Sequence, residues 1–169
     1  TTTGYATADF EAWPAVAKAV LFILMFVGGC SGSTGGGIKV IRFVALFKEA
    51  MTEMKKLVHP RGIFAMKVGS QPLHYRIVHA ISGFFFLYII MLLLTTLVAA
   101  TAGVDLVTSV TTALVTVGNI GPGFGLIGPT DNYSFYPDYV KWFLSFAMMV
   151  GRLELYTVLV LFTPLFWRD

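Results

Sequence analysis

The chain has 169 residues, of which 56% are apolar and only 12% are charged. Ordinary soluble domains are roughly 45–50% apolar and about 25% charged, whereas the mean hydropathy of this chain is +0.77. These values argue against a soluble globular domain and indicate a membrane protein. The net charge of +3 comes from one cluster of basic residues. Because this is not a basic face interleaved with aromatic residues, nucleic-acid binding is not indicated.

The basic residues are distributed unevenly, and this asymmetry predicts the topology. Eight of the twelve Lys and Arg residues lie in 39–76, whereas 99–140 contains three aspartates and no Lys or Arg. Cytoplasmic segments of membrane proteins are enriched in Lys and Arg. We therefore expect 39–76 and the C-terminus to be cytoplasmic, and the loop 122–138 to face outside.

The first third of the chain is predicted to form a broken helix. A helix over 14–30 would enter the membrane from outside, with Pro14 near its first turn. It rises only about 25 Å, less than the roughly 30 Å of the bilayer core, so it should end inside the membrane. The segment 28–37 contains six glycines and interrupts the helix there. A second helix, about 38–57, then leads to a polar cytoplasmic connector over 59–76.

The remainder of the chain is predicted to contain two spans and a short helix between them. Residues 77–102 carry no Asp, Glu, Lys or Arg and are long enough to cross the bilayer outward. Asp105 is predicted to cap a helix over 106–115, which rises only about 15 Å and must return to the same side. A glycine turn over 116–121 and a last span over 139–167 complete an all-α membrane fold.

Thr-x-Gly occurs in two similar contexts, as Thr2-Thr3-Gly4-Tyr5 and as Thr116-Val117-Gly118-Asn119. Each copy precedes an outer segment, a proline and a descending span. Irregular backbone at membrane depth is tolerated where it is buried in protein or faces a water-filled cavity. Glycine lets successive carbonyls replace the hydration shell of a cation. The repeat predicts two filter segments of a cation pore, although each tripeptide alone is also typical of a simple turn.

Two other features of the predicted spans need an explanation. A phosphate-binding loop would require Lys where Ile38 stands, so the glycine-rich segment is either a pore-facing loop that obstructs the path or a passive hinge. Arg152 and Glu154 lie near the centre of the last span, where charge is costly. They either contact that loop or belong to a structural ion pair. The loop consists of Gly28, Gly29, Cys30, Ser31, Gly32, Ser33, Thr34, Gly35, Gly36 and Gly37.

The order of these motifs resembles a known family. The chain contains, in succession, TTTGYAT, WP, GGCSGSTGGGIK, TVGNIGPGFG and GRLELYT. This succession closely resembles the C-terminal half of Trk-type potassium uptake proteins, TrkH type, of the Trk/Ktr/HKT superfamily. The resemblance implies four repeats of helix, pore helix and helix around one pore, with the third ending at residue 58 and the fourth over 77–169. It also implies filter glycines at Gly4 and Gly118, a gate loop at 28–37, and Arg152 as the residue that holds the loop.

The resemblance further implies a homodimer in the bacterial inner membrane, regulated by a cytosolic nucleotide-binding ring protein of the TrkA type. Potassium at the filter would be the substrate, and we expect no cofactor on this chain. Because two repeats are missing, we expect the chain to be the C-terminal part of a longer protein. An enzyme is not indicated, since no nucleophile and base or metal cluster is visible. The alternatives are a secondary transporter with a midplane substrate site formed by broken helices and a non-conducting membrane anchor.

Overall fold

The computed structural model describes residues 2–30, 32, 33, 35–60, 62, 67, 68, 71, 72, 75–153 and 155–167. Within these residues the chain is helical apart from one short antiparallel pair of strands in the connector, so the predicted helical class is confirmed. The helices are α1 (Ala15–Phe26), α2 (Val40–Val58), α3 (Tyr75–Ala100), α4 (Leu106–Val117), α5 (Asp138–Arg152) and α6 (Leu155–Leu161). The strands are β1 (Lys67–Val68) and β2 (Gln71–Pro72), and 3₁₀ turns occupy Phe10–Ala12 and Pro164–Trp167.

Helix α3 has the length and apolar composition needed to cross a membrane unbroken, over Ile77–Ala100. Phe86, Leu93 and Leu97 are exposed on one side of this helix, whereas Phe84 and Tyr88 on the opposite side are buried. Residues spaced in this way share a helix face. An apolar outer face with a packed inner face suits a helix that lies between protein and lipid.

Helix α4 lies at the centre of the fold. Val117 at its end belongs to one apolar cluster with Phe84 and Val150, and Val115 belongs to a second cluster with Leu144. Nine of the twelve residues of α4 are buried, so this helix is enclosed on nearly all sides. A short helix held in this way is a fixed support for the backbone that follows it.

The polar side chains of α4 are all hydrogen-bonded within the protein. Thr111 Oγ1 donates to the carbonyl oxygen of Phe124 at 2.8 Å, and the Thr112 hydroxyl lies 2.9 Å from the Tyr136 hydroxyl. The predicted cap is confirmed, because the Asp105 carboxylate accepts from the Thr108 hydroxyl and, at 3.2 Å, from its N–H. These hydrogen bonds lower the pKa of Asp105.

Two predicted helices differ from those observed. The helix predicted over 14–30 ends at Phe26, and the span predicted over 139–167 is two helices, α5 and α6, whose axes are bent by 114°. Helix α6 turns to pack on α3, where the Tyr156 hydroxyl donates to the carbonyl oxygen of Ala80 at 2.9 Å. Gly151 in the last turn of α5 also favours a helix end there, because glycine is a poor helix former.

Candidate functional site

The two predicted filter segments lie side by side in the structure. A Cβ atom built on Gly4 would lie 3.2 Å from the carbonyl oxygen of Ile120, and one built on Gly121 would lie 3.2 Å from the Cα of Gly4. Gly4 and Gly121 have φ angles of +81° and +111°, which favour glycine. Two glycines therefore bring two distant parts of the chain into close backbone contact.

A cavity of about 460 Å³ lies at this contact. Residues 2–8 line it from one segment, and Gly118, Ile120 and Pro122 line it from the other. Glycines 28, 36 and 37 line it as well. The two predicted filter segments and the glycine loop therefore line the same cavity.

The first residues of the second predicted segment are helical. Thr116 and Val117 form the buried last turn of α4, and Gly118 ends that helix with a helical φ of −76°. Asn119 follows with a φ of +54°. A glycine and a left-handed asparagine are common residues at a helix C-terminus. The predicted Thr116-Val117-Gly118 therefore belongs to the helix and its cap, and the backbone that meets Gly4 begins after them.

Asn119 ties this second segment to its neighbours. Its side-chain Nδ2 donates to the carbonyl oxygen of Met148 in α5 at 2.9 Å. Its Cβ would lie 3.1 Å from a Cβ built on Gly36 of the glycine loop. The residue thus lies where α4, α5 and the glycine loop meet.

The two ends of the glycine loop are hydrogen-bonded to each other. Val27 and Ile38 form a parallel bridge, and the Gly28 N–H donates to the carbonyl oxygen of Ile38 at 2.8 Å. Inside the loop, Ser33 Oγ accepts a hydrogen bond from the Gly35 N–H at 3.0 Å. Cys30 is exposed. Ser31 and Thr34, which the prediction includes, lie outside the described residues.

One part of the loop is packed tightly and another is not. A Cβ built on Gly36 would lie 2.5 Å from the carbonyl oxygen of Gly118, and one on Gly35 would lie 3.1 Å from Thr2 Oγ1. A Cβ built on Gly32 would have no neighbour within 4 Å among the residues that the structure describes. The loop therefore rests on the end of α4 through Gly36 and beside the first segment through Gly35.

Arg152 ends α5 with an exposed side chain. Within the part of the chain that the structure describes, it makes no hydrogen bond or ion pair. Glu154 lies outside the described residues. Contact between Arg152 and the glycine loop therefore stays a prediction.

The outer loop contributes contacts that the sequence reading missed. Glu11 Oε1 accepts from the Gly125 N–H at 2.6 Å, and the Tyr133 hydroxyl donates to the carbonyl oxygen of Gly121 at 2.7 Å. Burial raises the pKa of the Tyr133 phenol. The glycine- and tyrosine-rich composition of the loop directly after the predicted filter segment was the signal that could have found these contacts.

The fold and motifs match known proteins. The family model described as "Cation transport protein", TrkH, matches residues 1–168. The Trk system potassium uptake proteins TrkH of Halomonas elongata and of Escherichia coli K12 are 44% and 41% identical, over 99% and 100% of this chain. The crystal structure of the potassium transporter TrkH from Vibrio parahaemolyticus has 40% identity and a TM-score of 0.88 over 99% of this chain. This chain spans only 34–36% of the length of these relatives. The chain belongs to the TrkH family of cation transport proteins.

Proposed function

We propose that this chain supplies two filter segments of a potassium-conducting pore, as part of a Trk uptake protein of the bacterial inner membrane. The observation that carries the proposal is the approach of Gly4 to Ile120 and Gly121 beside a cavity. Glycine backbone beside a cavity can present carbonyl oxygens to a dehydrated cation. The relatives are named potassium uptake proteins, which favours potassium as the ion.

The proposed ion-binding backbone is shifted from the original prediction in its second half. The first segment keeps Thr2, Thr3, Gly4 and Tyr5. The second consists of 119–121, because Thr116 and Val117 are helical, Gly118 caps the helix, and the carbonyl oxygen of Thr116 accepts the Asn119 N–H at 3.1 Å. A carbonyl engaged at a helix end is not aimed at an ion. The C-terminus of α4 still adds a partial negative charge near the cavity, which favours a cation.

The glycine loop over 28–37 is proposed to obstruct the pore beneath the filter. Its contact with Gly118 through Gly36 and its position along the cavity support this role. Arg152 would stabilise the closed position in the complete protein, since a guanidinium can donate to several backbone carbonyls. A regulator would then need only to shift the loop between two positions.

The partners are proposed from the family and from the charge of the cytoplasmic side. Lys55 and Lys56 lie in the last turn of α2, next to the basic connector. This region would contact a nucleotide-binding ring protein of the TrkA type, and the complete subunit would form a homodimer. Neutralising Lys55, Lys56 and Arg61 together should weaken capture of the ring protein in a pull-down. Full retention at physiological salt would favour a role in topology and lipid contact only.

Ion flux in liposomes tests the proposed function. The full-length uptake protein that carries this segment should pass potassium in preference to sodium. Gly121→Ala should reduce that preference, because the position has a left-handed φ and a Cβ there would meet the Cα of Gly4 at 3.2 Å. Gly32→Ala, in open space, is the matched control. Unchanged selectivity in Gly121→Ala would contradict the filter assignment, and saturating flux without unitary currents would favour a secondary transporter.

A further inference from the structure

We infer that Tyr133 is a positioning residue of the pore, whose hydroxyl fixes the peptide between Gly121 and Pro122 and thereby the direction of the neighbouring Ile120 carbonyl. This inference rests on the proposed function, because it assigns a supporting residue to the same filter segment. Tyr133 itself does not contact the ion. It acts through the backbone of Gly121, to which its hydroxyl donates at 2.7 Å.

The carbonyl groups of Ile120 and Gly121 lie next to different residues. The Ile120 oxygen is the atom closest to a Cβ built on Gly4, and Ile120 lines the 460 Å³ cavity. Gly121 instead lines a second cavity of about 240 Å³, together with Tyr133 and Lys141. The Ile120–Gly121 and Gly121–Pro122 peptides are planar and share the Cα of Gly121, so the direction of one carbonyl constrains the direction of the other. Holding the Gly121 carbonyl toward Tyr133 therefore keeps the Ile120 carbonyl on the side of Gly4.

The orientation of the peptide between Gly121 and Pro122 depends on a contact from another residue, because Gly121 and Pro122 themselves do little to fix it. Gly121 has no side chain to pack, and its φ of +111° is one that glycine adopts readily and other residues rarely adopt. Pro122 has no N–H, so the peptide cannot be fixed through a donor. Among the described residues, the Tyr133 hydroxyl is the donor to this carbonyl.

Tyr133 is itself held in place by the pore helix. Its ring stacks on that of Tyr136, with centroids 6.3 Å apart. Tyr136 is 1% exposed, and its hydroxyl lies 2.9 Å from that of Thr112 in α4. Burial raises the pKa of Tyr133, so its hydroxyl keeps the proton that it donates. A continuous set of contacts thus runs from buried α4 to the filter backbone.

The test is Tyr133→Phe in the full-length uptake protein reconstituted in liposomes. The potassium-to-sodium permeability ratio should fall about fivefold, which corresponds to the loss of one net hydrogen bond. Tyr139→Phe is the matched control, since it removes a hydroxyl that lies 3.0 Å from Thr101 Oγ1 at the outer end of α3. Its permeability ratio should equal that of the wild type. Thermal unfolding of both variants separates a change in selectivity from a general loss of stability.

The outcomes distinguish this inference from the proposed function. A selective wild type with an unchanged ratio in Tyr133→Phe overturns the inference and leaves the filter assignment intact. A wild type that does not prefer potassium overturns the proposed function itself. Tyr136→Phe weakens the support of Tyr133 and should lower the ratio in the same direction. If Tyr133→Phe does not incorporate into liposomes, an unchanged ratio in Tyr136→Phe overturns the inference.

Discussion

Replacing Gly36 by Ala should displace the glycine loop from the end of α4 and so open the proposed pore. The added Cβ would lie 2.5 Å from the carbonyl oxygen of Gly118 and 3.1 Å from its carbonyl carbon. Ordinary contacts between carbon atoms are about 3.5–4.0 Å. The obstructing atoms are backbone at the end of a buried helix, so they cannot turn aside as the tip of a side chain would. The loop must therefore move.

The size of the effect follows from the required displacement. Restoring ordinary contact needs a shift of roughly 0.5–1 Å, and overpacking of this kind costs about 1–3 kcal/mol. Since each 1.4 kcal/mol is about tenfold in an equilibrium constant, the ratio of displaced to seated loop should rise roughly 5- to 150-fold. If the seated loop obstructs the pore, the basal flux should rise with that ratio until most molecules are open.

The assay is potassium flux through the full-length uptake protein in liposomes without its regulator. Gly32→Ala is the control, because it makes the same chemical change in the same loop where no atom lies within 4 Å. Its flux should match that of the wild type. If the flux of Gly36→Ala is at or below that of the wild type at matched incorporation, the seated loop does not obstruct the pore. An equal rise in both variants would show that any added methyl disturbs the loop.

Three further predictions concern the contacts around α4, each read by thermal unfolding. Glu11→Ala should destabilise the protein by about 1–2 kcal/mol, because the Gly125 N–H loses an acceptor at 2.6 Å. Glu11→Gln keeps an acceptor oxygen and should retain most of this stability. An equal loss of stability in both variants would contradict the contribution of the hydrogen bond. Hydrogen bonds lower the pKa of Asp105, so its stabilisation is present above the unfolded value of about 3.9 and is lost as pH falls through the lower folded value. Asp105→Asn should lack the part of the stability that is lost at low pH. Melting temperatures that fall in parallel with pH in the variant and the wild type would contradict this role of Asp105. Gly151→Ala should destabilise the protein, because its Cβ would lie 2.9 Å from the carbonyl carbon of Val117. Without this contact, Ala in place of Gly would stabilise a helix by about 1 kcal/mol. A raised melting temperature would therefore contradict the steric conflict.

Local signals were sufficient to predict the short helix and its start. Asp105 precedes an apolar and hydroxyl-rich stretch, and it caps α4 as predicted. The same stretch is too short to cross a membrane, which correctly separated it from the neighbouring span. These features depend on residues near one another in the sequence, so no tertiary contact was needed to find them.

The register of the second filter segment could not be settled by the Thr-x-Gly match. Thr116 and Val117 are compatible with a helix, and Gly118 with Asn119 is a helix stop. The helix therefore continues two residues past the predicted end at 115, and the glycine with a left-handed φ beside Gly4 is Gly121. The glycine turn predicted over 116–121 already includes Gly121, although the Thr-x-Gly match assigned the ion to Gly118.

Contacts between distant residues were beyond a reading of one sequence. Glu11 and Gly125 are 114 residues apart, and Tyr156 and Ala80 are 76 apart. Nothing in local composition pairs them, because their approach depends on how the helices pack. The bend between α5 and α6 is also absent from the apolar pattern, because the two helices together are apolar enough for one span.

We propose that the backbone of Gly4 and of 119–121 binds the permeating ion. Anomalous diffraction from crystals of the full-length uptake protein soaked in rubidium tests it most directly, because rubidium substitutes for potassium and its position is measured. We predict a peak within direct coordination distance of the carbonyl oxygens of Gly4 and Ile120. A peak beside Thr116, Val117 and Gly118 alone, or no peak between the two segments, would contradict ion binding by Gly4 and 119–121.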